Sequence, residues 1–390
     1  MSKNVFVFVV CGTEEHINTL HLSLKYLKKY SKNEIFILTD SSRNEIAISH
    51  THVLDIKTPE HLNHHQASIF LKTGIHHFVP EGNNYCYLDT DVVAVSSDCD
   101  DIFDEFIPPI RFAPDHCQVR KFSPYAVNCE CLLKRETERK KFTQFMEDIN
   151  GVTIIDPILL SHNKELQYEF DKLKKSFIKK GITALRFFLS NPIFKFDHRF
   201  YFNKKSKTWH IRTGEIIMYD VDIAKMQKAT GLSYNKWTQK WYNQQGEDIW
   251  YDECNHLTDS IKKTFDIDVK EKNWQHWNGG VFLFNNSSHA FLESWHNKTM
   301  HIFTLEQWKT RDQGTLIATA WEFGLNTHPT LSKRFNFIAD YHNNGLQIKE
   351  SGTQITDNGF KHTYNPALVH VYHHWEDKTW AIWKWIESKF

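Results

Sequence analysis

Two carboxylates interrupt an otherwise apolar stretch of the chain, in the sequence YCYLDTDVVAV. Asp89 and Asp91 lie two residues apart, with tyrosine, leucine and valine side chains around them. Charged groups are costly to bury unless something compensates them. A hard cation such as Mg²⁺ or Mn²⁺ would do so, because it binds a few protein carboxylates and completes its coordination with water and phosphate oxygens. The pair is therefore a candidate metal site; the alternative is an exposed turn with two solvated acids.

The elements around this pair are predicted to alternate between strand and helix. Strands are expected where β-branched and aromatic residues form continuous runs, and helices where apolar residues recur with helical spacing. Helices are expected after the first strand and over 64–79. This order predicts an α/β fold with a doubly wound sheet. The predicted strands are VFVFVV (5–10), EIFILTD (34–40), HVLDI (52–56), NYCYLDTDVVAV (84–95), WNGGVFLFNN (277–286) and ALVHVYHHW (367–375).

Several polar or small residues follow these strands directly. In doubly wound sheets, ligands bind beyond the carboxyl ends of the strands. Cys11, Gly12 and Thr13 follow the first predicted strand, and Asp40 ends the second. We expect them to converge with the carboxylate pair. The alternative for the first three is a plain strand-to-helix turn, in which Gly12 supplies conformational freedom.

The middle of the chain, 131–270, has a different character and is predicted to be a largely helical insertion. Within it, 171–212 carries twelve Lys or Arg residues against two acids, with seven phenylalanines interleaved. Basic residues alternating with aromatic ones are typical of helices that lie on an anionic membrane surface. The alternative is a helical subdomain whose phenylalanines form its core and whose charges are solvated.

Composition excludes several classes of protein. Lys and Arg together number 47, as do Asp and Glu, so the neutral chain is not typical of bulk nucleic-acid binding. The apolar run near the N-terminus is too short for a membrane span and lacks a small-residue cleavage site. Seven cysteines with irregular spacing favour free thiols in a reducing compartment. Cys129 and Cys131 lack a matching second cysteine pair, which argues against a zinc ribbon.

A series of motifs along the chain resembles the GT-A glycosyltransferases, and among them glycosyltransferase family 8. That retaining family includes lipopolysaccharide galactosyl- and glucosyltransferases and glycogenin. The resemblance covers roughly 1–130 and 271–380 and implies a GT-A doubly wound mixed sheet. The motifs that carry it, in family order, are YLDTDVVAV, DDIFDEF (100–106), WNGGVFLFN, RDQGTL, KRFNF (333–337) and VHVYHHWEDKTW.

The resemblance implies a metal centre and a nucleotide-sugar donor. Asp89, Asp91 and His370 would bind Mn²⁺ or Mg²⁺, with His373 and His374 as competing candidates for the imidazole. A neutral ring nitrogen is required for this. The nucleotide would lie over the end of the first strand, lined by the Cys11–Thr13 turn, with Asp40 near its base or ribose.

Basic residues would contact the diphosphate of the donor. Lys378 follows the C-terminal histidine motif and could reach the β-phosphate. The family's arginine before the metal-binding motif has no obvious counterpart here, where Ser68 or Lys72 occupies that neighbourhood.

Two further segments would contact the donor sugar. Asn278 would hydrogen-bond a hydroxyl, while Gly279 and Gly280 would bring backbone close to the sugar; the alternative is a bulge before a strand. Asp312 would contact sugar hydroxyls, and Gln313 would lie beneath the anomeric carbon. Because Gln is a poor nucleophile, a same-face route is favoured over a covalent intermediate. An inverting enzyme would need a general base, for which Asp312 could serve.

The predicted protein is thus a metal-dependent glycosyltransferase that moves a hexose from a UDP-sugar to a glycan or glycolipid acceptor. The alternatives are a nucleotide-sugar pyrophosphorylase and a non-catalytic glycan-binding protein. We expect it in the cytoplasm, with peripheral membrane contact through 171–212 as an option. The predicted segments are 1–130 and 271–375 as the two halves of the GT-A domain, 131–270 as the insertion for acceptor or membrane contact, and 376–390 as an aromatic helix.

Overall fold

The chain folds as two units, one of which interrupts the sequence of the other. Unit 1 comprises Met1–Cys129 and Glu253–Phe390, and unit 2 comprises Glu130–Asp252. The predicted insertion ran on to residue 270, and its positions 151–156, 220–222, 236–237 and 239 lie outside the described residues. This computed structural model describes residues 2–150, 157–219, 223–235, 238, 240–309, 311–339, 347–348, 355–356, 363–371 and 373–390.

The elements follow one another in three stretches. Up to the boundary of unit 2 they are β1 (Asn4–Val9), α1 (Glu14–Tyr30), β2 (Glu34–Thr39), β3 (Val53–Asp55), α2 (His64–Thr73), β4 (Asn84–Leu88), β5 (Val92–Ala94), β6 (Arg111–Gln118) and α3 (Val119–Ala126). Unit 2 contains α4 (Cys131–Asn150), α5 (Pro157–Lys174), α6 (Phe177–Leu189), β7 (Ile193–Lys195), β8 (Phe200–Asn203), β9 (Thr208–Ile211), β10 (Ile216–Tyr219), α7 (Ile223–Thr230), β11 (Ser233–Asn235) and β12 (Lys240–Tyr242). The return to unit 1 adds α8 (His256–Phe265), β13 (Gln275–Phe284), α9 (His289–Ile302), α10 (Gln313–Glu322), β14 (Phe337–Ile338), β15 (Gln347–Ile348), β16 (Ile355–Thr356), β17 (Thr363–Tyr364), β18 (Leu368–His370) and α11 (Ala381–Glu387).

A six-stranded sheet, in the order β3-β2-β1-β4-β13-β6, forms the centre of unit 1. The first four strands are parallel, as the alternation of strand and helix predicts. β13 then pairs antiparallel with both β4 and β6, so the sheet is mixed. The predicted α/β class with a doubly wound mixed sheet is confirmed.

Alternate residues of β1 face opposite layers of helices. Phe6 and Phe8 pack in one apolar cluster with residues of α1, including Leu20. Val5 and Val7 pack in the other cluster, with residues of α2, α9 and α10. Because successive side chains of a strand point to opposite faces, a continuous apolar run is what a strand covered on both faces requires.

The predicted single strand over 84–95 is in fact two strands in different sheets. β4 belongs to the central sheet, while β5 pairs with β18 in a three-stranded sheet of the order β14-β18-β5. The turn between them is formed by 89–91, where the Val92 amide donates to the Asp89 carbonyl over 3.1 Å. The two carboxylates therefore lie where the chain leaves one sheet for another.

The C-terminal tail packs on unit 1 through its tryptophans. α11 buries Trp383 and Trp385 in an apolar cluster that also contains Val93 of β5 and Val369 of β18. The predicted aromatic helix therefore belongs to the core that supports the β5–β18 pair.

Unit 2 is mostly helical in its described part, but it also contains an antiparallel sheet in the order β10-β9-β8-β7, which was not predicted. Phe194, Phe200, Phe202 and Trp209 form its buried core. The C-terminal part of the basic-aromatic segment, 193–211, therefore forms three strands of this sheet, and the aromatic side chains just named pack in its core. This arrangement supports the structural alternative for those phenylalanines.

Helix α6 has an exposed apolar face that this core does not explain. Phe177 is 91% exposed and Phe188 is 80% exposed. Ile178, Ile182 and Leu185 are also exposed. In the described part of the chain, no helix is long and apolar enough to cross a bilayer.

Candidate active site

The turn between β4 and β5 is held by backbone contacts on both sides. The Asp89 amide donates to the Gly280 carbonyl of β13 over 2.8 Å, which continues the β4–β13 ladder by one residue. The Asp91 carbonyl accepts from the amide of Val371 over 2.9 Å, immediately after β18. Two neighbouring strands therefore fix the backbone of the carboxylate pair.

The structure brings His370 to the two carboxylates. β18 pairs antiparallel with β5, which sets His370 opposite Val92. Its Nε2 lies 3.2 Å from Asp91 Oδ1, and one ligand atom each of Asp89, Asp91 and His370 lie within 4.8 Å of one another. The three predicted metal ligands thus form one cluster, although 281 positions separate Asp89 from His370.

The ring of His370 is oriented by Asn336, which belongs to the KRFNF motif. His370 Nδ1 lies 3.0 Å from Asn336 Oδ1, and both side chains are buried. An amide oxygen can only accept, so Nδ1 carries the proton of this bond. The other nitrogen, Nε2, is the one that faces Asp91. Outer contacts of this kind select the tautomer of metal-binding histidines in proteins.

The electrostatics of the cluster indicate that negative charge is only partly compensated. Burial raises the pKa of Asp89 above its ordinary value, and repulsion by Asp91 adds to this, although Lys72 and His370 oppose it. Burial would lower the pKa of His370, but its contact with Asp91 and the charge of Asp89 raise it overall. Burial and the close approach of the two acids therefore favour a protonated state of the cluster.

Lys72 links the carboxylate pair to the start of α10. Its Nζ lies 3.3 Å from Asp89 Oδ1 and 2.9 Å from Asp312 Oδ2. Burial would lower the pKa of the ammonium, but the two carboxylates raise it far above its ordinary value. Tyr87 adds a hydroxyl that donates to Asp89 over 2.5 Å. Lys72 is therefore a charged member of the site, whereas Ser68 donates to the Cys11 carbonyl.

The glycines of the Asn278–Gly280 segment permit close packing of the metal-site residues. A Cβ atom at Gly280 would lie 2.6 Å from His370 Cε1 and 2.7 Å from Asp89 Oδ2. Real Cβ atoms do not approach other atoms this closely, so only glycine allows these side chains to meet across β13. Gly279 faces Lys72, whose Nζ would lie 3.3 Å from a Cβ atom there. The expected approach of the sugar to this backbone stays a prediction.

Asp312 and Gln313 are placed at the start of α10. Asp312 is the N-cap residue, yet its side chain makes no capping hydrogen bond and pairs with Lys72 instead. Gln313 Nε2 donates to Asp115 Oδ2 over 3.1 Å. The two residues predicted to face the sugar are thus held by charged partners.

Asp115 is a member of the site that the sequence reasoning missed. It lies on β6 and accepts hydrogen bonds from Asn278 over 3.0 Å and from Gln313. Burial opposes its ionisation, but His276, His116 and the amide of Asn278 lower its pKa well below the ordinary value. A single acid in the segment IRFAPDHC, next to apolar residues, was the available signal, and it is weaker than the one that identified the carboxylate pair because the segment also contains Arg111 and His116.

The turn after β1 lies beside this cluster in the strand order, because β1 pairs with β4. Cys11 is buried, and Gly12 has a φ of +124°, which disfavours any other residue. The Gly12 amide donates to Asn44 Oδ1 over 3.1 Å, and Thr13 Oγ1 lies 2.9 Å from His16 Nδ1. The glycine is therefore required by the turn itself, whether or not a nucleotide binds there.

Asp40 and Lys378 do not join the cluster through any described contact. Both Asp40 oxygens accept hydrogen bonds, from Ser42 and Arg43 in the loop after β2 and from Thr58 in the loop after β3. Lys378 is exposed in the turn before α11 and forms no ion pair among the described residues. Of the competing histidines, His373 is exposed and His374 Nδ1 lies 3.2 Å from Asp377 Oδ2.

Comparisons with known proteins found similarity in structure alone. No protein-family model matches the chain, and no curated protein matches it in sequence. Mouse xyloside xylosyltransferase 1 is 11% identical, with a TM-score of 0.38 over 94% of this chain and 97% of that one. The bifunctional glycosyltransferase WbbM is 9% identical, with a TM-score of 0.37 over 95% of this chain and 46% of that one.

The glycosyltransferase GlyE of Streptococcus pneumoniae is 18% identical, with a TM-score of 0.21, and the match covers 29% of each chain. This chain thus spans less than a third of GlyE. TM-scores this low support no conclusion about the fold or the function of this chain.

Proposed function

We propose that this protein is a metal-dependent glycosyltransferase that moves a hexose from a UDP-sugar to a glycan or glycolipid acceptor, with retention at the anomeric carbon. The observation that carries the proposal is the convergence of Asp89, Asp91 and His370 from distant parts of the chain. Asp312 adds a polar group beside this cluster, through its ion pair with Lys72.

The residues of the cluster fit a hard divalent cation. Two carboxylates and one imidazole are suitable ligands for Mn²⁺ or Mg²⁺. Asn336 holds the His370 ring by Nδ1, and this leaves Nε2 directed at Asp91. When bound, the cation would act as a Lewis acid on the diphosphate leaving group.

The remaining side chains would position the donor sugar. Lys72 fixes the Asp312 carboxylate, so this acid is held ready to accept hydrogen bonds from sugar hydroxyls. Asp115 binds the amides of Asn278 and Gln313 and thereby sets the direction of both. Orientation of reacting groups is a large part of catalysis in group transfer.

Retention is favoured over inversion by the partners of Asp312 and Gln313. A general base for inversion would have to accept a proton, whereas the described Oδ2 of Asp312 is bound to an ammonium. Gln313 is a poor nucleophile, so no covalent intermediate is expected on it. A same-face route needs neither an enzyme base nor an enzyme nucleophile, because the leaving phosphate takes the proton of the acceptor hydroxyl.

The nucleotide would lie over the turn after β1. The turn Cys11–Thr13 follows the strand next to β4, at the edge where ligands bind in such sheets. Asp40 would act indirectly, since its oxygens already accept hydrogen bonds from the loops after β2 and β3. Lys378 would reach a phosphate from its exposed turn.

For unit 2 we propose peripheral contact with an anionic membrane surface, which places the protein at the cytoplasmic side of a membrane. Phe177, Phe188 and their apolar neighbours cover one face of α6, while Lys179, Lys180 and Arg186 lie elsewhere on the same helix. Apolar side chains that enter the interface and basic ones that meet lipid headgroups are the elements of such binding.

UDP release is the direct test of the catalytic proposal. Purified protein is incubated with several UDP-sugars and Mn²⁺, and compared with Asp91→Asn and with Asp104→Asn, an exposed acid of the same type. Metal-dependent release that Asp91→Asn abolishes and Asp104→Asn retains supports the proposal. Release that survives Asp91→Asn contradicts it, UTP-dependent formation of UDP-sugar indicates a pyrophosphorylase, and glycan binding without release indicates a non-catalytic protein.

The membrane proposal is tested separately by vesicle flotation. Wild type is expected to float with phosphatidylserine vesicles and not with phosphatidylcholine vesicles. The double substitution Phe177→Ser and Phe188→Ser should abolish flotation. Tyr168→Ser on α5 serves as the control, because Tyr168 is also an exposed aromatic residue but lies outside the apolar face of α6. This variant should float like the wild type. Equal flotation of wild type and the double variant contradicts the proposal.

A further inference from the structure

A cluster of soft ligands lies in unit 1, apart from the carboxylates at the sheet edge. Cys129 follows α3, and Cys254 and His256 stand at the start of α8. Cys129 Sγ lies 4.0 Å from Cys254 Sγ, and one ring nitrogen of His256 lies within 4.8 Å of both sulfurs. Nothing in the proposed transfer reaction uses these residues.

The packing of α3 against α8 creates the cluster. The Cys254 amide donates to the Arg120 carbonyl over 3.1 Å, and the Leu257 amide donates to Ser123 Oγ over 2.9 Å. Ser123 Oγ also lies 3.0 Å from Cys254 Sγ. These contacts hold the Cys254–His256 segment beside the residues that follow α3, although 125 positions separate the two cysteines.

The sequence supplies a fourth ligand at the required spacing. Cys131 lies two residues after Cys129, and a chain advances by at most about 7 Å over two residues, so both thiols can reach one ion. The resulting pattern is Cys-x-Cys followed far downstream by Cys-x-His. The sequence reasoning sought a second cysteine pair and therefore overlooked a second pair that contains a histidine.

We propose that Cys129, Cys254 and His256, with Cys131 as the fourth ligand, bind a structural zinc ion. Thiolate and imidazole ligands select zinc over the hard cations that carboxylates bind. Three cysteines and one histidine complete a tetrahedral set and leave no position open for substrate, so the site is structural.

The position of the cluster explains what the ion would stabilise. Unit 1 is interrupted after Cys129 and resumes at Glu253, so the ligands stand at the point where the chain leaves unit 1 and where it returns. Closing so long a stretch of chain is entropically unfavourable, and a cross-link at its ends removes part of that cost from folding. Metal binding of this kind contributes directly to the free energy of folding.

Two simpler states of these cysteines are possible outcomes of the test. A disulfide between Cys129 and Cys254 would require a sulfur separation of about 2.05 Å, half the distance observed. Alternatively no ion binds and the thiols stay reduced, since none of the seven cysteines, all of them among the described residues, forms a disulfide. A bound ion accounts for the histidine as well as the sulfurs, which neither alternative does.

Metal analysis of the protein purified in reducing buffer tests the proposal. We expect about one equivalent of zinc per chain, lost largely in Cys129→Ser, Cys254→Ser and His256→Ala. Cys99→Ala removes a buried thiol elsewhere and should retain the zinc, as should Asp91→Asn at the sheet edge. Retention in Asp91→Asn separates this site from the proposed catalytic metal.

Cobalt absorption of the wild-type protein provides a second test, which does not depend on whether the cysteine variants fold. Cobalt added to zinc-depleted wild type should give thiolate-to-metal charge-transfer absorption, which His256→Ala and Cys131→Ser should each alter. The proposal is overturned by wild-type protein that holds no zinc and gives no such absorption. It is equally overturned by zinc that is retained in the cysteine variants, or by a Cys129–Cys254 disulfide in the freshly purified protein.

Discussion

Asp40 and Asp89 occupy equivalent positions in the central sheet but differ in the groups that surround their carboxylates. Each follows directly on a parallel strand, β2 for Asp40 and β4 for Asp89. The carboxylate of Asp40 accepts from Ser42 and pairs with Arg43 in the loop after β2, and it also accepts from Thr58, which follows β3. Asp89 instead meets groups from four separate parts of unit 1, and one of them is a second acid.

The pKa values of the two carboxyls move in opposite directions. Burial opposes the ionisation of Asp40, but its hydrogen bonds lower its pKa to about 2. Burial and the charge of Asp91 raise the pKa of Asp89. A carboxylate after a strand is therefore structural when neighbouring loops satisfy its hydrogen bonds, and it becomes a candidate ligand when its surroundings leave negative charge uncompensated.

The largest effect is expected from removing the ammonium group of Lys72, which contacts Asp89. Lys72→Met leaves two half-buried carboxylates without their buried ammonium, and this should cost at most the loss of about 3 to 5 kcal/mol that breaking a fully buried pair causes. Urea unfolding measures this loss. Saturating Mn²⁺ should recover part of it, because a cation on Asp89 replaces the lost charge. Equal losses with and without Mn²⁺ would contradict a metal site at Asp89.

Substitutions of Asp89 and Asp40 should also have different effects on kcat. Asp89→Asn should lower kcat by at least about 100-fold, as the loss of a group that organises transition-state charge does. Asp40→Asn should leave kcat within a few-fold of wild type at a temperature where it is folded. Steady-state UDP release measures both. Comparable losses in the two variants would mean that Asp40 also contacts the donor.

The ionisation of Asp40 should instead affect how the free energy of unfolding depends on pH. Its pKa of about 2 is below the ordinary 3.8, so it stabilises the folded state above pH 4 and loses this contribution as the pH falls toward 2. Asp40→Asn should cost about 2 kcal/mol at pH 7. Urea unfolding at pH 7, 5 and 3.5 should give a difference from wild type that is constant at first and narrows at 3.5. A difference that stays constant at pH 3.5 would contradict the ionic origin of the effect.

The smallest effect should come from the residue that orients the imidazole. Asn336→Ala removes the partner of His370 Nδ1 and should weaken Mn²⁺ binding about tenfold, or ~1.4 kcal/mol. Isothermal titration with Mn²⁺ measures the change. Asn285→Ala, an asparagine that caps a short turn after β13, serves as a control and should leave the Mn²⁺ affinity unchanged. An unchanged affinity in Asn336→Ala would mean that Nδ1 needs no partner.

Sequence reasoning succeeded where local pattern and chemistry agree. The apolar runs of β1, β2 and β4 were predicted as strands, and all three are buried in the central sheet. Asp89 and Asp91 were noticed because charges stand out against such a run. The link to His370 came from the resemblance of ordered motifs, since no spacing rule connects Asp89 with a residue 281 positions away.

The misses have a common physical reason, which is that partners distant in sequence decided the outcome. Asp115 becomes part of the site only because β6 pairs with β13. The role of Asp40 depends on Thr58, which no pattern around the strand reveals. The sheet of unit 2 was overlooked because its strands are short and its phenylalanines lie among lysines, so their periodicity was weak.

The pairing of β5 with β18 has a consequence for the order in which the protein becomes active. A ribosome that has not yet translated residue 370 carries a chain with both aspartates but without the imidazole or the strand that braces their turn. Contacts of such long range form late and slowly. On the proposed function, nascent chains should therefore be unable to assemble the metal site and to act on the donor.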